Sequence, residues 1–188
     1  MSTLQVLGIV GSLRRDSYNR RALEAAQDLM PEGSTLQWMD LHGIPLFDQD
    51  EEKSPPPAVV EFKRRIREAD AILFVAPEYN YSVPGVLKNA IDWASRPYGE
   101  NAWLGKPAAI MGASTGNLGT ARMQYHLRQI LVAFDMAVVS QPEVMITRAP
   151  ERFDQDGKLT DESTRKHIEK LLVALVNLAR IHHSPTIR

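Results

Sequence analysis

The feature that most constrains this chain is a recurring join, in which a short apolar run stops at a loop of Gly, Pro, Ser or Asn and a helix-period segment follows. Residues 4–10 end at Gly11-Ser12, residues 71–76 end at Pro77, and residues 108–111 end in the loop 112–119. Short apolar runs bounded by turn signals predict strands buried on both faces. Between them the spacing is helical: Ala22, Leu23, Ala26, Leu29 and Met30 within 19–30, then Val59, Phe62, Ile66 and Ala69 within 58–69. Leu87, Ile91 and Trp93 follow the helix-opening Pro84-Gly85. Leu127, Ile130, Leu131 and Phe134 mark a fourth helix, and Ile168, Leu171, Leu172, Leu175, Leu178 and Ala179 a last one. Residues 35–40 alternate as a partly exposed strand, and 137–139 predict a final strand, continued past Pro142 by 144–146. Residues 42–57 read as a Pro- and acid-rich loop and 148–160 as a mobile one. Such alternation predicts a parallel sheet covered on both faces. The 188 residues are thus expected to form one α/β domain, 1–188, three-layered and doubly wound, with its ligand at the carboxyl ends of the strands.

Composition removes several classes of function. The charges balance, 22 Lys and Arg against 23 Asp and Glu, which argues against nucleic-acid binding, since neutralising phosphates takes a surplus of cations. The chain has no Cys, so disulfides, thiolate metal sites and a thiolate nucleophile are excluded. The N-terminus, from Met1-Ser2, lacks a basic segment and cleavage pattern, and the longest uncharged stretch, 107–121, is too short and too glycine-rich to span a membrane. A cytoplasmic protein is expected.

Three loops carry the chemistry. The first, Gly11-Ser12-Leu13-Arg14-Arg15-Asp16-Ser17-Tyr18-Asn19-Arg20, lies between a strand and a helix, where backbone N–H groups and the helix dipole favour an anion. Ser12, Ser17 and Asn19 add short donors and Arg14 a planar cation suited to phosphate. The second, Pro77-Glu78-Tyr79-Asn80-Tyr81-Ser82-Val83-Pro84-Gly85, is stiffened by proline at both ends, and its tyrosines suit a planar heteroaromatic ligand. The third, Gly112-Ala113-Ser114-Thr115-Gly116-Asn117-Leu118-Gly119, has glycines that allow close backbone approach. Each loop alone could be no more than a capped helix start or a tight turn; the succession in one sheet points to one site.

Other motifs fall away. Neither a Gly-x-Gly-x-x-Gly turn nor a Walker loop is present, because Gly99 and Gly105-Lys106 are misspaced and Pro107 follows. His42, His126, His167, His182 and His183 show no metal-ligand spacing, and the His182-His183 pair is expected in a solvated tail. Ser12 and Ser114 lie outside a nucleophile elbow, which weakens a hydrolase reading. Asp48, Asp50, Glu51 and Glu52 read as a solvated acidic loop or a flap near the site.

The three loops, with Leu87-Lys88-Asn89-Ala90-Ile91-Asp92-Trp93 and Gln124-Tyr125-His126-Leu127-Arg128, resemble the flavodoxin-like NAD(P)H-dependent FMN reductases, most of all the bacterial quinone and chromate reductases. The resemblance implies a five-stranded sheet of order 2-1-3-4-5 and non-covalent FMN. NADH or NADPH would supply hydride to the flavin, which would pass electrons to a quinone-like acceptor, with no side-chain acid or base required. It further implies that Ser12, Arg14, Ser17, Tyr18 and Asn19 hold the FMN phosphate, that Pro77, Glu78, Tyr79 and Asn80 border the isoalloxazine ring, and that Ser114, Thr115 and Gly116 close the other side. A homodimer or homotetramer is expected, meeting through 84–95 and the helix of Gln124–Arg128, with Trp93, Tyr98, Trp103 and Tyr125 as candidate interface aromatics; Trp93 equally suits its own subunit's core. A flavodoxin-type electron carrier is the alternative in another class.

Overall fold

The computed structural model describes residues 3–182. Five strands and five helices alternate: β1 (Leu4–Val10), α1 (Tyr18–Asp28), β2 (Ser34–Met39), α2 (Pro57–Glu68), β3 (Ala71–Val75), α3 (Gly85–Ala94), β4 (Ala108–Ala113), α4 (Ala121–Val132), β5 (Val144–Ile146) and α5 (Glu162–His182). Every pairing is parallel, and the strand order is β2-β1-β3-β4-β5, the flavodoxin-like arrangement.

Side-chain alternation sends each strand's residues to two cores. Val6, Val10, Leu73, Val75, Ala109 and Met111 face α1 and α5, whereas Leu7, Ile9, Ile72, Phe74 and Ile110 face α2, α3 and α4. Every residue of β3 and β4 is buried, which is why those segments read as unbroken apolar runs. Trp103 fills the second core against Phe62 and Phe74, and its indole N–H donates to the Ile91 carbonyl at 3.0 Å.

Three expectations need correction. Residues 137–139 form no strand. Ala108 donates to Ala137 O and Val139 to Ala108 O, but then the chain leaves the sheet at Pro142, which has no N–H for a ladder; β4 regains a partner only at β5. Residues 148–160 are packed rather than loose. Phe153 and Leu159 bridge and are buried, Phe153 lies 5.4 Å from the Tyr18 ring, and Arg152 pairs with Asp161 at 2.7 Å. Asp161 also accepts the N–H and hydroxyl of Thr164 across the start of α5, and these bonds hold its carboxyl below the usual carboxylate range. The acidic loop keeps Asp48, Asp50 and Glu51 exposed, as expected, while its ends are strapped down: Asn89 donates to Pro45 O at 2.7 Å and accepts from Phe47 N–H at 2.8 Å, and Glu52 pairs with Arg96 at 2.7 Å. The same strap settles Trp93, whose indole donates to Pro45 O and whose ring meets Phe47 edge-on; Trp93 and Trp103 are core residues, whereas Tyr98 and Tyr125 are exposed.

No helix among the described residues is long and apolar enough to cross a membrane. His182 ends α5 with its side chain exposed, and His183, like Met1 and Ser2, lies outside the described residues.

Candidate functional site

The loops after β1, β3 and β4 meet at the carboxyl edge of the sheet around one open cleft of about 440 Å³, within the range of roughly 300–1,000 Å³ that takes a drug-sized ligand. Its walls are Ser12, Arg14, Ser17, Tyr18, Asn19, Pro77, Glu78, Tyr79, Ala113, Ser114 and Thr115. Ten of the twelve residues expected from sequence thus come together. Asn80 and Gly116 do not: Asn80 sits at an exposed turn tip, and Gly116 shapes its loop, donating to Ser114 Oγ and accepting from Arg148 N–H. Ala113 was missed, as an apolar strand end offers no polar signal.

The first loop is built to receive an anion. Ser17 caps α1, its Oγ accepting Asn19 N–H at 3.2 Å, and Ser12 Oγ accepts Arg14 N–H at 3.3 Å. Both side chains are buried, and each hydroxyl, having accepted from backbone, keeps its hydrogen to donate. The first turn of α1 adds the orphan N–H groups of any helix start, with no acidic residue there to use them. The four arginines divide. Arg14 and Arg15 remain exposed, whereas Arg20 turns back to Asp40 at 3.1 Å and stacks on Trp38, and Arg21 lies over the Tyr18 ring. Asn19 lines the cleft, and its side chain has a structural part as well. Its Oδ1 accepts Ala113 N–H at 2.8 Å and its Nδ2 donates to Ala113 O at 3.0 Å, all buried, so it ties the first loop to the end of β4.

The third loop approaches closely because it can. A Cβ on Gly112 would stand 2.3 Å from both the Ala76 carbonyl oxygen and Thr120 Oγ1, so only glycine fits. Ser114 donates its N–H to Ile146 O and accepts from Ala149 N–H, which stitches this loop to the chain after β5.

The second loop ends in a two-residue reversal, Tyr79 and Ser82 exchanging both backbone hydrogen bonds at 3.0–3.1 Å. Asn80 and Tyr81 carry φ of 49° and 70°, the type I′ geometry. A tyrosine in the left-handed region costs about 1–2 kcal/mol, and persists only where its surroundings fix it. Those surroundings are on α4. The Arg122 guanidinium lies 3.7 Å over the Tyr81 ring, Glu78 accepts from Arg122 N–H at 3.0 Å, Met123 N–H at 3.2 Å and the Arg122 side chain, and Ser82 Oγ meets His126 Nδ1 at 2.8 Å. Hydrogen bonding to Glu78 raises the Arg122 pKa above its ordinary value. Arg122 was not found from sequence, although one signal was there: a cation in the first turn of a helix opposes the dipole and calls for a nearby anion.

Among the described residues no group of three or more His, Asp or Glu side chains could hold a metal ion. The donor set does fit FMN, with hydroxyls, a helix start and Arg14 for a phosphate at one end, and a proline-stiffened, tyrosine-bearing wall for a flat ring at the other.

Comparison with known proteins gives the same reading. Residues 4–151 match the family described as NADPH-dependent FMN reductase. The chain is 54% identical over 173 residues to an NAD(P)H-dependent FMN reductase of Pseudomonas aeruginosa, covering 92% of this chain and 93% of that one. It is 44% identical over 169 residues to a 2-hydroxy-1,4-benzoquinone reductase of a Burkholderia species, covering 90% and 92%. Among solved structures, the flavoenzyme NAD(P)H:(acceptor) oxidoreductase FerB of Paracoccus denitrificans superposes with a TM-score of 0.86 at 40% identity, over 95% of this chain and 98% of that chain. With its topology, cleft and three loops, the chain belongs to the NADPH-dependent FMN reductase family.

Proposed function

We propose that this protein oxidises NADPH or NADH through FMN held in the cleft and delivers the electrons to quinones or other small electron-poor acceptors in the cytoplasm. The observation that carries the reading is the convergence of three strand-end loops on one cleft, with anion donors at one end and a flat-ring wall at the other. FMN, when bound, supplies the redox chemistry, taking hydride from the nicotinamide and giving electrons to the acceptor. In this reading Ser12, Arg14, Ser17 and Tyr18, with the α1 N–H groups, hold the phosphate. Pro77, Glu78 and Tyr79 form one wall beside the ring and Ser114 with Thr115 the other, while Asn19, Asn80 and Gly116 hold the loops in shape. No side chain has to take up or release a proton at a reacting atom.

A single cleft mouth makes donor and acceptor use it in turn. Parallel double-reciprocal lines are therefore expected for NADPH against a quinone, with flavin absorbance bleached by NADPH and restored by the quinone. Intersecting lines would exclude this order, and bleaching without steady-state turnover would favour a flavodoxin-type carrier instead.

The assembly we propose is a homodimer or homotetramer joined through α3 and α4. The cleft is open and the second loop projects Tyr79 and Tyr81 into solvent, so the ring end lacks an outer wall that a second copy could supply. Tyr125, half-exposed on α4, is bonded to Glu143, which pushes its phenol pKa up, and offers a pre-set aromatic contact. Sedimentation of the FMN-bound protein is expected to give at least twice 21.1 kDa. A fully active monomer would show that the site needs no second copy.

A further inference from the structure

We propose that Glu78 is a positioning residue that fixes the second loop, and through it the ring end of the cleft, by anchoring that loop to the first turn of α4. The inference rests on the reading that FMN occupies the cleft.

Glu78 stands between two environments. Its residue lines the cleft, yet its carboxylate is turned to α4, where it accepts two successive backbone N–H groups and the Arg122 side chain, and it is only 5% exposed. Helix α4 has no side-chain cap of its own, because Thr120 makes none. The carboxylate therefore replaces the missing cap from a distant loop, 44 residues earlier in the chain. It also neutralises a cation that would otherwise oppose the helix dipole. A buried acid serving three donors is a far stiffer link than a surface ion pair, since each partner leaves the others unsatisfied if it moves.

The link reaches the turn tip through Arg122. That guanidinium is held by Glu78 on one side and covers Tyr81 on the other, and Tyr81 is 72% exposed, with no other ring or cation stacked on it among the described residues. The strained Asn80-Tyr81 reversal is thus kept by two links to α4, the chain of contacts that begins at Glu78 and the Ser82–His126 hydrogen bond. Without the Glu78 link only the Ser82–His126 bond ties the turn tip to α4, so the turn is freer to relax and Pro77–Tyr79 loses its fixed place beside the cleft. The contact expected from sequence between Glu78 and the ring is therefore indirect: the carboxylate acts by holding backbone, and the phosphate end does not depend on it.

Two variants, Glu78→Ala and Glu78→Gln, test this against wild type, with binding of FMN and of riboflavin measured alongside. Glu78→Ala is expected to weaken both flavins by the same factor, about tenfold, the scale on which an unordered loop lowers affinity. The bound flavin should also show lower fluorescence anisotropy, reporting a looser ring. Glu78→Gln keeps an oxygen for the α4 N–H groups but loses the charge, and should recover part of both. In the ligand-free protein, hydrogen exchange at the Tyr79 and Ser82 amides should quicken in Glu78→Ala. Unchanged exchange and unchanged riboflavin affinity would overturn the proposal, as would a loss confined to FMN or a lowered Tm with no change in anisotropy. If wild type binds neither flavin, the cofactor reading fails, and the exchange rates still decide whether Glu78 holds the loop.

Discussion

Replacing Arg14 by Ala is expected to weaken FMN by about 10–100-fold and to leave riboflavin almost unchanged, a charge-assisted hydrogen bond being worth about 1.5–3 kcal/mol. The two ligands differ only in the phosphate, so their affinity ratio isolates the end of the cleft at which Arg14 acts. Arg14 suits this role because it is exposed at the cleft lip, its guanidinium lying near the Tyr18 ring and paired with no carboxylate among the described residues. Ser12 and Ser17 are buried donors in fixed positions, whereas Arg14 must be ordered by the ligand and gives back part of its gain in side-chain entropy. The ratio also separates the two ends of the cleft: Arg14→Ala should change it, whereas Glu78→Ala should not. Fluorescence titration of apoprotein with each flavin measures it. An equal loss for FMN and riboflavin would place the phosphate elsewhere.

What the sequence disclosed follows from how locally each feature is encoded. β3 and β4 were legible because a strand buried on both faces must be apolar at every position, and a following Pro77 marks where β3 stops, whereas β4 runs on through Gly112 to Ala113. The first loop was legible because helix start, hydroxyls and arginines are contiguous. By contrast, Val144–Ile146 is a strand of only three residues, shorter than the stretch over which a pattern declares itself, and Ala137–Val139 is as short and as rich in β-branched residues, so composition does not choose between them. Pro142 decided between them by removing a ladder donor, leaving β4 to be paired in two pieces.

The roles of Asn19, Glu78 and Trp93 were hidden for another reason. Each is fixed by a partner far along the chain: Ala113 for Asn19, Arg122 for Glu78 and Pro45 for Trp93. Sequence placed all three correctly near the cleft or on α3, but a side chain near a site can touch a ligand or hold the residues that do. Only the distances separate those two uses. The same holds for 148–160, whose polar composition reads as loose although Phe153, Leu159 and the Arg152–Asp161 pair close it onto α1 and α5.

Asn19 therefore gives the largest expected effect on stability. Its amide satisfies both the N–H and the C=O of Ala113, at 2.8 and 3.0 Å in a buried setting between α1 and the end of β4. Asn19→Ala removes both partners at once, and each backbone group left unpaired away from water costs about 1–3 kcal/mol. The lost volume adds a further penalty, partly relieved if water enters from the adjacent cleft. A drop of about 3 kcal/mol is expected in urea unfolding, and for a chain of this size that lowers Tm by roughly 6–12 °C. Asn19→Asp is the sharper control. It can still accept Ala113 N–H, but it sets an oxygen against the Ala113 carbonyl where the amide donated, and it buries a charge. It should therefore be no more stable than Asn19→Ala, although it is closer to Asn in shape. Flavin binding supplies the second readout. Because Asn19 joins the phosphate loop to the strand that ends in Ser114, releasing it should weaken FMN and riboflavin together, unlike Arg14→Ala. If Asn19→Ala loses less than about 1 kcal/mol and shifts the FMN-to-riboflavin ratio, then Asn19 serves the phosphate directly and the buried bonds to Ala113 contribute little to the fold.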